Sequence, residues 1–150
     1  MRAVLTRVTD ASVTIDGKIK GKISKGFLVL LGIHKDDTEA AADKLADRIC
    51  GLRIFEDDER KMNISPEAAG AELLIISQFT LYADVKSRRP GFTEAARPDT
   101  AIPLYERVIA ECEKKGFHVE TGEFGADMKV VSTNDGPVTI ILEVDGNGKL

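Results

Sequence analysis

Apolar and polar side chains alternate imperfectly over residues 2 to 8, where Val4 and Thr6 break the pattern around Ala3 and Leu5, and strictly from Ala11 to Ile15, with Thr9-Asp10 between the two runs. A period of two belongs to a strand with one buried face, so the chain is expected to open on two strands. Asp16-Gly17 then marks a tight hairpin turn. Lys18 to Ile23 returns as a polar edge strand, whose lysines discourage further pairing. Phe27 to Ile33 is a nearly continuous apolar run, the pattern of a central strand buried on both faces.

The period changes after this strand. Asp36, with Glu39 three residues later, has the form of a helix N-cap, and Ala41, Leu45, Ile49 and Leu52 recur on one face around Gly51. Arg53 to Phe55 and Lys61 to Ile64 flank a polar stretch, which predicts a short hairpin before a buried strand at Glu72 to Ser77. A long loop from Tyr82 to Asp99 precedes a second helix starting near Asp99 or Thr100. Its apolar stripe is Ile102, Tyr105, Val108, Ile109 and Cys112, and Lys114-Lys115-Gly116 ends it. Pro103 fits only near the first turn of that helix. Three further strands are expected at 117–121, 128–132 and 138–144, followed by a frayed tail at 145–150. Two helices spaced among about eight strands imply an α/β protein of strongly curved sheets with the helices on one side.

With 150 residues, the expected organisation is one domain spanning 1–150. Lys and Arg total 21 against 25 Asp and Glu, a net charge of −4. That balance lacks the broad basic footprint of a protein that coats nucleic acid, so any RNA must be held locally. The local candidate is Lys86-Ser87-Arg88-Arg89, followed by Pro90-Gly91-Phe92 and Arg97. It reads either as a solvated loop or as a set of phosphate contacts. Cys50 and Cys112 stand in helical patterns, far from a Cys-x-x-Cys spacing, and are expected as core fillers outside any disulfide or zinc site. No basic-then-apolar leader precedes the first strand, and no apolar run approaches the roughly 18 residues of a membrane span. A cytoplasmic protein with neither membrane nor DNA as partner is expected.

Two short segments carry the chemistry. Ser77-Gln78-Phe79-Thr80-Leu81 follows the apolar run Leu73-Leu74-Ile75-Ile76, and Asn134-Asp135-Gly136-Pro137-Val138-Thr139 precedes another. Each puts hydroxyls and bare backbone at the mouth of a buried strand. Gly136 has no side chain, while Pro137 fixes its own φ and gives up its N–H, so carbonyls are presented rigidly. Such a corner is either a plain turn between strands or a steric gauge. The only histidines, His34 and His118, sit in no motif, and no paired carboxylates stand at a catalytic spacing.

These segments resemble the paired signatures SQ-x-x-L and N-x-G-P-x-T of the D-aminoacyl-tRNA deacylases, the D-Tyr-tRNA deacylase family. The likeness extends through Arg7-Val8, Ala11-Ser12-Val13, Arg53-Ile54-Phe55, Lys61-Met62-Asn63, Phe124 and Ala126-Asp127-Met128. It implies a three-layered α/β fold with curved, barrel-like sheets, two main helices packed on one side, and a homodimer. It implies hydrolysis of the D-aminoacyl-tRNA ester at the 3′ end, releasing tRNA and the D-amino acid, with no metal or organic cofactor. Glycyl-tRNA, including glycine mischarged on tRNA-Ala, falls within the same expectation, because glycine has no side chain to collide with a gauge. Ser77, Gln78, Phe79 and Thr80 are then the catalytic segment. Its backbone N–H groups serve as an oxyanion hole, and the ribose 2′-hydroxyl assists. Gly136-Pro137 resembles a cross-subunit Gly-cisPro element that excludes L side chains, and Arg7 matches the residue bracing it. Phe124 matches an adenine-contacting aromatic, with Met128 shaping the same pocket. Two rivals remain: a non-catalytic module that binds the tRNA 3′ end, and an esterase with Thr80 as nucleophile.

Overall fold

Alternation on either side of Thr9-Asp10 belongs to one strand, β1 (Arg2–Ile15), and not to two. The computed structural model describes residues 1–150. After β1 come β2 (Lys18–Ile23), β3 (Gly26–Gly32), α1 (Glu39–Gly51), β4 (Phe55–Glu56), β5 (Met62–Ile64) and β6 (Glu72–Ser77). A single-turn 3₁₀ helix (Phe79–Tyr82) follows, then α2 (Pro98–Lys114), β7 (Val119–Thr121) and β8 (Lys129–Glu143).

β1 is the spine of the sheet. One of its edges pairs antiparallel first with β3 (Arg2↔Gly32 to Val8↔Gly26) and then with β2 (Ala11↔Ile23 to Ile15↔Lys18). Its other edge pairs antiparallel with β8 along nearly its whole length. β6 joins β3 in parallel, and β7 joins β6 in parallel. Parallel neighbours need crossovers, which α1 and α2 supply. The order β2-β1-β3-β6-β7 then curls until its ends approach. A Cβ on Gly21 of β2 would lie 2.9 Å from the Thr121 carbonyl oxygen of β7, so only glycine admits this near closure.

Side-chain alternation divides the interior into two cores. Phe27, Val29 and Leu31 of β3, with Leu73 and Ile75 of β6, face α1 and α2. Leu28, Leu74 and Ile76 point the other way, into the curl, where Val8, Ala11, Val13 and Ile23 meet them. Both faces of β3 and β6 are therefore buried, which is why their sequences read as continuous apolar runs. In β1 the parity slips: Ala3 and Leu5 face the helical core, whereas Ala11 and Val13 face the curl. Register breaks on either side of Val8 cause the slip and bend the strand. Helices, central sheet and curled-over strands make up the α/β arrangement. Cys50 and Cys112 are buried free thiols in the helical core.

Several boundaries differ from expectation. α1 is capped by Thr38, whose hydroxyl accepts from the Ala41 N–H at 3.5 Å, so Asp36 lies outside the helix. The strands expected at 128–132 and 138–144 are one strand, β8, because both parts pair with β1. The tail is not frayed: the Asp145 carboxylate accepts from the Asn147 and Lys149 N–H groups, and the Thr38 hydroxyl donates to the Gly146 carbonyl. α2 begins at Pro98, and Pro103 lies within it, where its missing N–H would have reached back only to Asp99 in the first turn.

Tyr105 of α2 donates its hydroxyl proton to the Ile75 carbonyl at 2.8 Å, and burial pushes its pKa up to about 12. An unfolded tyrosine ionises near 10. Between about pH 10 and 12 the unfolded chain therefore binds fewer protons, and stability falls as pH rises. Half-buried Tyr82 shifts in the same direction, also through burial. Tyr105→Phe is expected to cost about 1 kcal/mol at pH 7 and to reduce, without abolishing, the alkaline loss. Urea midpoints of both proteins at pH 7 and 11 measure this.

Candidate active site

Ser77 ends β6 opposite Leu31, and the Gln78 N–H makes the next bond, to the Leu31 carbonyl at 2.8 Å. The chain then turns into the 3₁₀ helix. The first N–H groups of any helix lack intrahelical partners, and here those of Phe79 and Thr80 donate to no group in the chain. The turn is fixed from behind by Arg2, whose Nη1 donates to the Leu81 carbonyl at 2.6 Å while its guanidinium lies 5.0 Å from the Tyr82 ring centre. No sequence signal singled out Arg2, because its partner lies on a turn distant in the chain.

Ser77, Gln78 and Phe79 form one wall of a cleft of about 240 Å3, and Phe124 and Met128 form another. Ile76, Gly125, Ala126 and Val130 complete it. The parallel β6–β7 pairing brings the two walls together, since the segment carrying Phe124 and Met128 leaves β7 beside the end of β6. Phe124 is half-buried, packs against the helical core and lies 6.2 Å from the Tyr105 ring. It is a wall and a core residue at once. The Phe79 ring is about half exposed and meets Phe92 edge to face at 5.1 Å. Thr80 is not a wall residue, and its hydroxyl accepts from the Gln78 side-chain amide.

No imidazole or carboxylate reaches Thr80. His34 is engaged with Glu94 at 3.0 Å, and His118 lies 3.6 Å from Glu120. The Lys35 and His34 hydrogen bonds hold the Glu94 carboxyl below the usual carboxylate range. No group of three His, Cys, Asp or Glu side chains is arranged to hold a metal ion.

The second motif is a large bulge within β8. Thr6 pairs with Thr139 and Val8 with Asn134, so Arg7 alone faces Asp135 to Val138. Gly136 has φ +132°, a conformation that disfavours a side chain, and the Gly136–Pro137 peptide is cis. Asn134 closes the bulge at its base: its Oδ1 accepts from the Val138 N–H at 2.9 Å, and its Nδ2 donates to Thr139 Oγ1 at 3.0 Å. Arg7, only 4% exposed, donates Nε to the Asp135 carbonyl at 3.0 Å and Nη1 to the Ile54 carbonyl at 2.7 Å. Glu56 lies 3.6 Å from its other terminal nitrogen.

The two motifs do not meet within one chain. Arg7 pairs with Phe27 near the start of β3, whereas Ser77 pairs with Leu31 near its end. That is about 13 Å along the strand at 3.3 Å per residue, with β1 and β3 also lying between β8 and β6. No residue from Asn134 to Thr139 lines the cleft. A larger, open cavity of about 490 Å3 beside Met1, His34, Asp37 and Tyr82 contains no residue of the bulge or of the Ser77–Thr80 segment.

A mixed sheet curled almost into a barrel, with two helices on one side and an open main-chain turn at a strand mouth, defines the class of protein. Residues 4–143 match the family model described as D-Tyr-tRNA(Tyr) deacylase, and the chain belongs to that family of ester hydrolases. Similar curated proteins include the D-aminoacyl-tRNA deacylase of Symbiobacterium thermophilum, 53% identical, with 95% of each chain covered. That of Exiguobacterium sibiricum is 55% identical over 95% of this chain and 99% of its own. Among solved structures, one described as c-Myc DNA Unwinding Element Binding Protein superposes with a TM-score of 0.91 at 38% identity, covering 97% and 99% of the two chains. A probable eukaryotic D-amino acid tRNA deacylase shares the fold, with a TM-score of 0.82 at 18% identity over 94% and 97%.

Proposed function

We propose that this protein hydrolyses the ester linking a D-amino acid to the 3′ end of tRNA, releasing both. The observation that carries this reading is the cleft itself, where Ser77, Gln78 and Phe79 stand across from Phe124 and Met128 and the chain turns into a helix whose first N–H groups, those of Phe79 and Thr80, are unpaired. An aminoacyl ester is already activated, so a strong side-chain base is not required. Water attacks the ester carbonyl carbon while the Phe79 and Thr80 N–H groups hold the carbonyl oxygen as charge develops on it, and the neighbouring ribose 2′-hydroxyl relays the proton that water gives up to the departing 3′ oxygen. The terminal adenine stacks on Phe124, and Met128 fills the space beside it. The protein acts as one cytoplasmic domain of residues 1–150, with no metal, organic cofactor, membrane or DNA.

In this reading the gauge comes from a second copy. Gly136-Pro137 is remote from its own Ser77, and β8, which carries it, leaves its outer edge unpaired with Val131 and Ile141 exposed. A homodimer covers that strand and delivers the Gly136 and Pro137 carbonyls to the partner's cleft. There they occupy the space an L side chain needs. Glycine collides with nothing, so glycyl-tRNA, including glycine on tRNA-Ala, is also a substrate.

Thr80 positions and does not attack. Thr80→Ala is expected to retain kcat within about tenfold, because the oxyanion donors are main chain and removing even one such donor costs about 10²–10³. Complete loss together with a trapped acyl-enzyme would establish the nucleophile reading instead. Phe124→Ala is expected to weaken tRNA binding about five- to a hundredfold, since a stacked base contributes about 1–3 kcal/mol. Binding titration with a parallel melting curve separates this from core damage. The reading as a whole is tested by offering D-Tyr-tRNA and L-Tyr-tRNA to the same preparation. Deacylation of the D form alone supports it, whereas binding without turnover would leave only a recognition module.

A further inference from the structure

The loop after the 3₁₀ helix closes on itself. Asp84 and Gly91 exchange both backbone hydrogen bonds, at 2.8 and 2.9 Å, and form the neck of a small hairpin. Its tip holds Lys86, Ser87, Arg88 and Arg89, all exposed. The tip is shaped from within: the Lys86 N–H donates to the Asp84 carboxylate at 2.9 Å, and the Ser87 hydroxyl donates to the Arg89 carbonyl at 2.6 Å. None of the three cations has an acidic partner within ion-pair distance, as is true of most lysines and arginines of the chain; what sets these three apart is that they crowd one hairpin tip beside the cleft. At the root, Phe92 meets Phe79, a wall of the cleft, at 5.1 Å. Three free cations thus stand on a finger rising from the cleft rim of a protein whose net charge is −4.

From this geometry we infer that the Lys86–Arg89 finger binds phosphates of the single-stranded 3′ end of tRNA as it enters the cleft. The finger extends about three residues beyond its neck, roughly 10 Å, so it reaches past the terminal nucleoside to the backbone behind it. Arginine matches phosphate oxygens with a planar fork of donors, and lysine adds a point charge. A single strand carries one charge per nucleotide whatever its sequence. The finger therefore supplies affinity common to all tRNAs, while the cleft reads the amino acid. This assignment rests on the deacylase reading for its substrate, but it makes a binding claim that can be measured without turnover.

The test is the binding of uncharged tRNA by the full chain from 0.05 to 0.3 M salt, for the wild type and for K86Q/R88Q/R89Q. Each lost single-strand phosphate contact lowers the slope of log affinity against log salt by about 0.7. A drop of about 2 is expected, with affinity at 0.1 M salt at least about tenfold weaker and an unchanged melting temperature. K44Q/R48Q/K114Q, which removes the same charge from the helical layer, is expected to leave the slope within about 0.5. In a second measurement, tRNA should slow acetylation of Lys86 in the unaltered protein. An unchanged slope in the finger variant, an equal drop in the helical-layer variant, or no protection of Lys86 would each overturn the assignment. If the slope falls as expected while D-Tyr-tRNA is not hydrolysed, the finger stands and the deacylase reading fails.

Discussion

Replacing Gly136 with alanine is expected to lower kcat/KM on D-Tyr-tRNA by at least about a hundredfold. The added methyl would lie 2.7 Å from the Val138 side chain and 3.1 Å from the Arg7 guanidinium, at a φ of +132° that alanine rarely adopts. The bulge must then shift, and a displacement of about 1 Å at a site that positions reacting groups costs about 10²-fold. The altered segment is at the surface of its own chain, remote from its own cleft. Steady-state kinetics with a parallel thermal melt therefore separates a misplaced gauge from an unfolded protein. Activity near the wild-type level would show that the bulge does not enter the site.

Arg7→Lys is expected to lower both stability and chiral discrimination. The guanidinium reaches the Asp135 and Ile54 carbonyls from two different nitrogens, at 3.0 and 2.7 Å. One ammonium cannot span both, so one buried carbonyl loses its donor. Hydrogen bonds to charged groups contribute about 1.5–3 kcal/mol, and a loss of that order in unfolding free energy is expected. The bulge, released on its β1 side and still closed by Asn134 at its base, becomes a looser gauge. The ratio of D- to L-Tyr-tRNA hydrolysis should fall about tenfold, corresponding to about 1.4 kcal/mol of lost discrimination. A fall in stability with an unchanged ratio would leave Arg7 as a structural brace alone.

Legibility in the sequence followed what each residue had to satisfy locally. β3 and β6 are readable because both of their faces are buried, and the helical stripes are readable in the main because α1 and α2 each bury one face, although at the start of α2 that face is filled by Ala101 and Leu104 and not by Ile102. The unity of β1 and of β8 is not readable. Thr9-Asp10 and Asn134 to Pro137 interrupt the alternation with turn chemistry, and only pairing between those two strands carries each through its interruption. The cap of α1 is ambiguous in the sequence for a similar reason: Asp36 and Thr38 are both good capping residues, and tertiary placement of the loop selects Thr38. In the site, Ser77 to Thr80 could be singled out as hydroxyls at a strand mouth. That Phe124 and Met128 stand across from them depends on the parallel β6–β7 pairing, which no local pattern encodes. Arg2 was invisible, since its role depends on the Leu81 carbonyl lying beside the first residues of β1.

In the proposed dimer each cleft is completed by the bulge of a second copy. Co-expression of two differently tagged chains, one carrying Gly136→Ala and the other Ser77→Trp, tests it most directly. Neither homodimer should act on D-Tyr-tRNA, the first for want of a usable gauge and the second because the tryptophan fills the cleft. In the doubly purified heterodimer, the intact cleft of the first chain receives the intact Gly136 of the second. About half of the wild-type activity per dimer is predicted there, since one of the two sites is whole. A heterodimer as inactive as both parents would place cleft and gauge in the same chain and rule out the cross-subunit gauge.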